Sequence, residues 1–275
     1  MKKTNAWRIA QYTLLTVAAV IIILPLLFLL VSSLKTNTEI FMGAFKLPAK
    51  PNFSHYLMIF DETYHLHTYF INSVYYAAVV CCVSIIINTT AAYAIGRMKW
   101  KLNKAVMGLF LAGIMIPLHA TIVPLYIITS KLRIPNQVAL MFLFIAGTIP
   151  TSVFLITGYL SNVPKAVEES AVIDGATIPH LFFKIIIPII KPPIATITIF
   201  NFMGVWNDLM LSLIFLSDER IKTLQLGVSK FSSAFYTEYG VLLAAMVVSM
   251  IPVIIIYLFM SEKIISGITA GAVKG

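Results

Sequence analysis

Six apolar stretches, each long enough to cross a lipid bilayer, constrain what this chain can fold into. A membrane-spanning helix needs about 20 apolar residues, because each residue advances the helix by about 1.5 Å through a hydrocarbon core about 30 Å thick. The stretches of this length are residues 11–31, 70–95, 105–128, 138–160, 193–216 and 239–259. Only 11% of the residues are charged, which is too few for a soluble domain. The sequence therefore predicts an all-α integral membrane protein with six transmembrane helices, formed by one transmembrane domain over residues 1–275.

The basic residues lie in the short links between these stretches, and their distribution predicts an orientation. Twelve lysines and arginines lie in the N-terminus, residues 97–104, residues 161–193 and the C-terminal tail, against eight in the opposite links. Positive residues are enriched on the cytoplasmic side of a membrane. We therefore expect both termini and the 161–193 link to be cytoplasmic. The net charge of +9 does not indicate nucleic-acid binding, because the basic residues are dispersed rather than gathered with aromatic residues in one patch.

The 161–193 link is the longest polar interruption in the second half of the chain. Asn162, with a proline two residues later, is typical of a helix start, and Gly175 is typical of a helix end. The pattern predicts a short helix over residues 164–173, a glycine turn, and a second helix beginning at Thr177. Prolines at positions 179, 188, 192 and 193 are expected to interrupt the second helix.

The predicted 164–173 helix combines an apolar edge with charged residues, which favours docking into a groove of a partner protein. The apolar edge consists of Val167, Ala171 and Val172. The residues expected to face water are Lys165, Glu168 and Glu169.

This link resembles the cytoplasmic coupling loop of ABC-importer permeases, often called the EAA loop. The residues that carry the resemblance are Glu169-Ser170-Ala171, Asp174-Gly175-Ala176 and Ile187-Pro188. Ser170 stands where the loop usually has alanine, which is a small residue for a small one. The Asp-Gly-Ala variant is similar to that of sugar permeases of the maltose type. The resemblance extends over nearly the whole chain and includes Ala91-Ala92-Tyr93-Ala94 with Arg97, and Trp206-Asn207-Asp208.

The resemblance implies a type I ABC importer permease fold and a non-catalytic subunit in the bacterial cytoplasmic membrane, surrounded by membrane lipid. It implies three protein partners: a second homologous permease chain, an ABC ATPase dimer and an extracytoplasmic substrate-binding protein. ATP and Mg²⁺ would be used by the ATPase, and this chain, which has no G-x-x-x-x-G-K-[ST] loop, would bind no cofactor. The ATPase-coupling residues that it implies are Glu168, Glu169, Ser170, Ala171, Asp174, Gly175 and Ala176. It implies that Glu169 keeps the loop seated on the ATPase.

A candidate translocation path follows from polar residues inside the apolar stretches, because such residues are costly in a membrane and usually functional. The candidates are His119, Asn201, Asn207 and Asp208. Two alternatives stay open at this point. His119 has no partner three or four residues away and could serve only in packing, and Trp206-Asn207-Asp208 could be an anchor at the membrane interface or pack against a neighbouring subunit. Pro117, Pro124, Gly147 and Pro150 are expected to break the helices around such a path.

The substrate class rests on the resemblance, which implies import of a di- or oligosaccharide. The alternatives are another polar solute such as glycerol phosphate, which a cavity rich in arginine would favour, and an ion-coupled secondary transporter, which would need paired acidic residues in the membrane. No metal site is predicted, since His65 and His67 are two residues apart and do not share a helix face. The 35–69 link is either a docking surface for the binding protein or a solvated connection with a short helix near residues 56–60.

Overall fold

The computed structural model describes residues 2–43, 45–61, 64–231 and 238–272, and these ranges contain helices and no strand. The chain forms two compact units, which are described separately. Unit one consists of Met1–His67 and Gly227–Ile251, and unit two consists of Thr68–Leu226 and Pro252–Gly275. The α-helices are α1 Lys2–Ser32, α2 Asn37–Met42, α3 Ser54–Met58, α4 Leu66–Arg97, α5 Asn103–Met115, α6 Ile122–Lys131, α7 Asn136–Leu160, α8 Ala166–Ile173, α9 Ile178–His180, α10 Ile187–Ile189, α11 Lys191–Trp206, α12 Met210–Phe215, α13 Leu224–Ser229 and α14 Tyr239–Ala272.

The described helices account for the six predicted spans, four as single helices and two as bent pairs. The four helices that are long and apolar enough to cross a membrane are Trp7–Ser32, Leu66–Arg97, Asn136–Leu160 and Tyr239–Met260. The pairs are Asn103–Met115 with Leu118–Lys131, bent by 90°, and Ile178–Ile189 with Lys191–Trp206, bent by 76°. If each pair is one span, the count is six. An all-α membrane fold is therefore confirmed.

The prediction of continuous helices over residues 105–128 and 193–216 is wrong. In the first stretch α5 ends at Met115, Ile116 is extended, and a 3₁₀ turn over Leu118–Thr121 leads into α6. Pro117 explains this break, because the residue before a proline is disfavoured in the helical region. In the second stretch α11 ends at Trp206, well before residue 216.

Three of the residues expected to break helices do not do so. Pro124 lies in the first turn of α6, where the missing N–H has no helical partner to lose. Gly147 and Pro150 lie inside α7, which runs without interruption from Asn136 to Leu160. Beyond Pro150, α7 buries Val153, Ile156 and Leu160, and this packing holds the helix together across the proline.

Two apolar clusters form the core of unit two, and α4 and α7 contribute to both. The first cluster joins these helices to α12 through Tyr76, Val80, Leu140, Phe144 and Phe215. The second joins them to the 181–197 region through Ala92, Val153, Ile156, Ile186 and Ile190. Because lipid tails are as apolar as these side chains, close van der Waals packing rather than escape from water stabilises such contacts in a membrane.

One face of α4 holds the loop over residues 219–224 through a row of polar side chains. Asn72 Nδ2 donates to the carbonyl oxygens of Arg220 (2.9 Å) and Lys222 (3.0 Å), and Tyr76 Oη donates to that of Ile221 (2.9 Å). Ser73 Oγ accepts from the backbone N–H of Leu224 at 2.7 Å. Tyr69, Asn72, Ser73 and Tyr76 share one helix face by their spacing, and this face fixes the chain that follows α12.

In unit one the 35–69 link contains two short helices. Thr36 and Glu39 form a capping box at the start of α2, and Glu39 also accepts from the Ala49 N–H at 3.0 Å. These backbone hydrogen bonds hold the pKa of Glu39 below its usual value. The helix predicted near residues 56–60 is α3, two residues earlier than expected. The link is therefore an ordered, helical connection.

Candidate functional site

Unit two contains a cavity of about 530 Å³ at the end of α11. The elements around it are the 3₁₀ turn after Pro117, the middle of α7, the last turns of α11 and the start of α12. Its lining residues are Leu118, His119, Phe144, Gly147, Thr148, Thr151, Phe200, Asn201, Met203, Gly204, Val205, Asn207, Asp208, Leu209, Met210 and Leu211.

The four residues predicted for the translocation path all line this cavity, although they come from three separate elements. His119 is carried by the 3₁₀ turn that the Pro117 break creates. Asn201 lies on α11, and Asn207 and Asp208 follow the residue at which α11 ends. The breaks in the two bent spans thus bring polar side chains to one wall. Whether they contact a transported solute is a matter for the proposal below.

The carboxylate of Asp208 is engaged at the start of α12. It accepts from the backbone N–H of Ser212 (2.9 Å), from Ser212 Oγ (3.0 Å) and from the backbone N–H of Leu211 (3.4 Å). A carboxylate at this position satisfies N–H groups that have no helical partner and interacts favourably with the helix dipole. Asp208 therefore has a structural role in shaping the cavity wall.

Trp206 does not act as an interface anchor or a contact to a neighbouring subunit. Its side chain is buried within unit two, stacked on Phe202 and edge-to-face with Phe70. Its ring centroid lies 5.4 Å from that of Phe202 and 5.6 Å from that of Phe70. The alternative reading of Trp206-Asn207-Asp208 is thus wrong for the tryptophan, which packs in the core and fixes the end of α11 beside the cavity.

Asn201 is the most unusual polar group of the lining. The residue is only 7% exposed, and among the described side chains its Nδ2 atom is one of the few buried polar atoms without a hydrogen-bond partner. A buried amide donor without a partner costs about 1–3 kcal/mol. Such a group at the wall of a cavity is available to a polar solute.

Sequence reasoning missed the polar residues that α4 and α7 bring to the cavity region. Thr148 and Thr151 of α7 line it. Behind them, Asn88 Nδ2 donates to Thr148 Oγ1 at 3.1 Å, and Ser84 Oγ lies 3.1 Å from the same oxygen. The signal in the sequence was Asn88, an amide inside an apolar stretch, which should have been treated as a functional or packing candidate.

The coupling-loop segment folds as helix, glycine turn, helix, as predicted. At the end of α8, Gly175 has φ +84°, its N–H donates to Val172, and the N–H of Ala176 donates to the carbonyl of Ala171. This pair of hydrogen bonds is a Schellman motif, in which a residue with positive φ ends the helix. The start was predicted wrongly: α8 begins at Ala166, and no side chain caps it.

The second helix of the loop starts at the predicted position and is interrupted by prolines as expected. Thr177 precedes α9, which passes through a π-helical turn over Leu181–Ile186 into α10. The chain then bends by 76° before α11 begins at Lys191.

Glu168 anchors α8 to the end of α4, which sequence reasoning did not foresee. Its Oε1 atom lies 2.8 Å from Arg97 Nε, with side-chain exposures of 14% and 6%, and its Oε2 atom accepts from Tyr93 Oη at 3.3 Å. The Arg97–Glu168 contact is an ion pair without hydrogen-bond geometry at Nε, while Arg97 Nη2 donates to the Val163 carbonyl at 2.6 Å. Glu168 was expected to face water. It points inward because α8 packs on α4 and a buried charge requires a partner.

The face of α8 opposite this ion pair is exposed and partly apolar. Ala171 is buried against unit two, whereas Val172 and Ile173 are 59% and 85% exposed, and Glu169 is also exposed. The predicted single apolar edge is therefore wrong: Ala171 points inward and Val172 points outward. Large apolar side chains at the tip of a projecting helix are typical of an interaction surface.

Comparison with known proteins places this arrangement in a family. Residues 88–269 match the family described as binding-protein-dependent transport system inner membrane component. The chain belongs to this family. The matched range contains both the cavity and the coupling loop, so the predicted ABC permease membership is confirmed.

Relatives of this permease cover its whole length. It is 33% identical over 268 residues to the multiple sugar-binding transport system permease protein MsmG of Streptococcus mutans, with 96% of each chain covered. It is 31% identical over 261 residues to the trehalose/maltose transport system permease protein MalG of Thermococcus litoralis, covering 94% of this chain and 93% of the relative.

The permease also matches a crystal structure of a bacterial ABC transporter involved in the import of the acidic polysaccharide alginate. The TM-score is 0.83 at 22% sequence identity, and the match covers 95% of this chain and 98% of the other. At this identity the likeness concerns the fold, and it confirms the predicted type I importer permease fold.

Proposed function

We propose that this chain is the permease subunit of an ABC importer that carries a di- or oligosaccharide across the bacterial cytoplasmic membrane. The observation that carries the proposal is the cavity of about 530 Å³, in which polar groups from separate elements meet in an otherwise apolar wall. The names of the two relatives support the substrate class, since one refers to multiple sugars and the other to trehalose and maltose. The alginate importer also carries a saccharide.

The chemistry of the cavity fits a neutral sugar. Its volume lies in the usual range for small-molecule sites, roughly 300–1,000 Å³. Asn201, Asn207 and Thr151 offer amide and hydroxyl groups to sugar hydroxyls, and the aromatic rings of Phe144 and Phe200 suit the apolar faces of a pyranose. His119 would act as a further donor or acceptor.

The charges of the lining argue against a phosphorylated solute. Among the described residues that line the cavity there is no lysine or arginine, and the carboxylate of Asp208 adds a negative charge. Binding a phosphate there would place like charges together without a compensating cation. This favours a saccharide over glycerol phosphate.

The driving force would come from separate subunits that bind ATP and Mg²⁺, while this chain performs no catalysis. In this proposal the exposed face of α8, with Glu169, Val172 and Ile173, docks into a groove of an ABC ATPase, and the ATPase dimer contacts a second homologous permease in the same way. The residues Ser170, Ala171, Asp174, Gly175 and Ala176 shape this element. The family description names dependence on a binding protein, which would deliver the sugar on the outer side.

The proposal fixes the orientation. The 161–193 loop and both termini are cytoplasmic, in line with the excess of basic residues on that side of the chain. Closure of the ATPases would move α8, and alternating access would follow from the different affinities of the two states for ATP and sugar.

Reconstitution in proteoliposomes tests the proposal. We expect uptake of maltose or trehalose only when this chain, the second permease, the ATPase and the binding protein are all present with ATP. Each omission serves as a control. Uptake of glycerol phosphate but of no sugar would establish the alternative substrate class. Uptake driven by an ion gradient without the ATPase would establish a secondary transporter and refute the ABC mechanism.

A further inference from the structure

A second pocket of unit two, of about 720 Å³, lies where α4 ends and α5 begins. It is separate from the translocation cavity, with which it shares no residue. Its lining residues are Ile95, Gly96, Arg97, Met98, Lys99, Trp100, Lys101, Asn103, Lys104, Met107, Gly108, Leu111, Thr157 and Lys165. We call it the basic pocket.

The basic pocket collects positive charge without acidic residues in its lining. Arg97 is neutralised by Glu168, but Lys99, Lys101, Lys104 and Lys165 are exposed. Within the part of the chain that the structure describes, none of these four lysines forms an ion pair. Four ammonium groups around one concave site repel one another unless an anion lies among them.

The opposite wall of the basic pocket is apolar. Met107 and Leu111 lie on successive turns of α5, inside a predicted membrane span, and the Trp100 ring is held at the mouth by a hydrogen bond from Nε1 to the Ala94 carbonyl at 3.1 Å. Tryptophan and lysine at the end of a span are typical of the headgroup level of a bilayer. At Gly108 a Cβ would meet no atom within 4 Å, so this wall has open space beside it.

We propose that the basic pocket binds the phosphate of an anionic phospholipid headgroup, with the acyl chains along Met107 and Leu111. Basic pockets between transmembrane helices recognise such headgroups, because the phosphate meets several cations while the chains stay in hydrocarbon. The apolar wall has no use for free phosphate or for an acidic protein surface, and it therefore favours a lipid. The site lies on the same side of the membrane as the coupling loop, since Lys165 directly precedes α8. This inference does not depend on which solute is transported.

Quenching of Trp100 fluorescence tests the proposal on the full chain in nanodiscs. Brominated phosphatidylglycerol is titrated into phosphatidylcholine, and brominated phosphatidylcholine serves as the reference quencher. Subtracting the signal of the Trp100→Phe variant isolates the response at the pocket from those of Trp7 and Trp206. We expect quenching by phosphatidylglycerol to saturate at a several-fold lower mole fraction than quenching by phosphatidylcholine.

Charge and shape are then varied separately. Lys99→Gln, Lys101→Gln and Lys104→Gln should each lower the preference about two- to fivefold. A matched variant that removes three exposed positive charges elsewhere, at Lys46, Lys50 and Lys131, should keep it. Gly108→Phe fills the open wall without changing the charge, and it should also lower the preference; it keeps the test valid if the combined lysine variant does not fold.

Four results would overturn the proposal. The first is equal quenching by the two lipids in the unaltered chain. The second is an equal loss of preference in the matched variant, which would indicate a general charge effect. The third is displacement of the lipid by millimolar inorganic phosphate, which would identify a site for the free anion. The last is loss of the preference when the second permease and the ATPase are assembled on the chain, which would show that protein covers the pocket.

Discussion

Replacing Glu168 by glutamine should release α8 from the end of α4 while the rest of unit two stays folded. The substitution keeps the side-chain size but leaves the Arg97 guanidinium, which is 6% exposed, without its counter-charge. Two unit charges 2.8 Å apart attract each other by about 6 kcal/mol at an effective dielectric constant of about 20. Part of this attraction offsets desolvation, and breaking a buried pair by removing one partner costs about 3–5 kcal/mol.

Local opening is the cheapest response to this loss. The helix α8 has eight residues, and Ala171 is its one buried side chain among the described residues. A helix of this length is not stable alone. Every 1.4 kcal/mol is a factor of ten, so the loss of about 3–5 kcal/mol should raise the exchange rate of the α8 amides by a hundredfold or more.

Hydrogen exchange measured by mass spectrometry on the chain in nanodiscs is the direct assay, and ATPase coupling is the second readout. Glu169→Gln is the matched control, because it removes the same charge from an exposed neighbour and should leave α8 exchange unchanged. Exchanging the charges, with Arg97→Glu and Glu168→Arg, should restore part of the protection. If Glu168→Gln left the α8 amides as protected as in the unaltered chain, the ion pair would not be what holds α8, and the reasoning would fail.

Three further substitutions separate coupling from transport. Gly175→Val should cost about 1–2 kcal/mol and uncouple ATP hydrolysis from sugar uptake, because φ is +84° there although a Cβ would touch nothing within 4 Å; normal coupling would contradict this. Asp208→Ala should lower the melting temperature through loss of about 0.5–2 kcal/mol of capping, whereas Asp208→Asn should retain most of it. Asn201→Leu should leave thermal stability equal or higher, since it removes an unpaired amide, and should reduce uptake; unchanged uptake would exclude this residue from the path.

Features that depend on local geometry could be predicted from the sequence. Gly175 could be assigned a positive φ because the residues before it form a helix and those after it do not, which is a property of a few adjacent residues. Apolar stretches of about 20 residues likewise predict spans, because the thickness of the bilayer sets their length. The break at Pro117 follows from the proline ring, but its 90° bend depends on how α5 and α6 pack on α7.

The contacts of single polar residues were less accessible. Arg97 and Glu168 lie far apart in the sequence, and no periodicity connects them. The inward direction of Glu168 depends on where α8 begins, since two residues rotate a helix by more than half a turn. Asp208 was placed inside a continuous span, so its role as a cap for Ser212 could not be seen until α11 was known to end at Trp206.

The two helices that flank the coupling loop both reach the cavity, and this gives a physical route from ATPase to solute. From Leu160, where α7 ends at the loop, to Thr151 on the cavity wall is about 14 Å of helix, and from Lys191 to Asn201 along α11 is about 15 Å. Between these levels the second apolar cluster packs both helices together. Because a close-packed core resists compression, a displacement of the loop should reach both walls at the same depth instead of being absorbed on the way. The polar groups on the two walls would then change their separation together, which is what alternating access to a sugar requires.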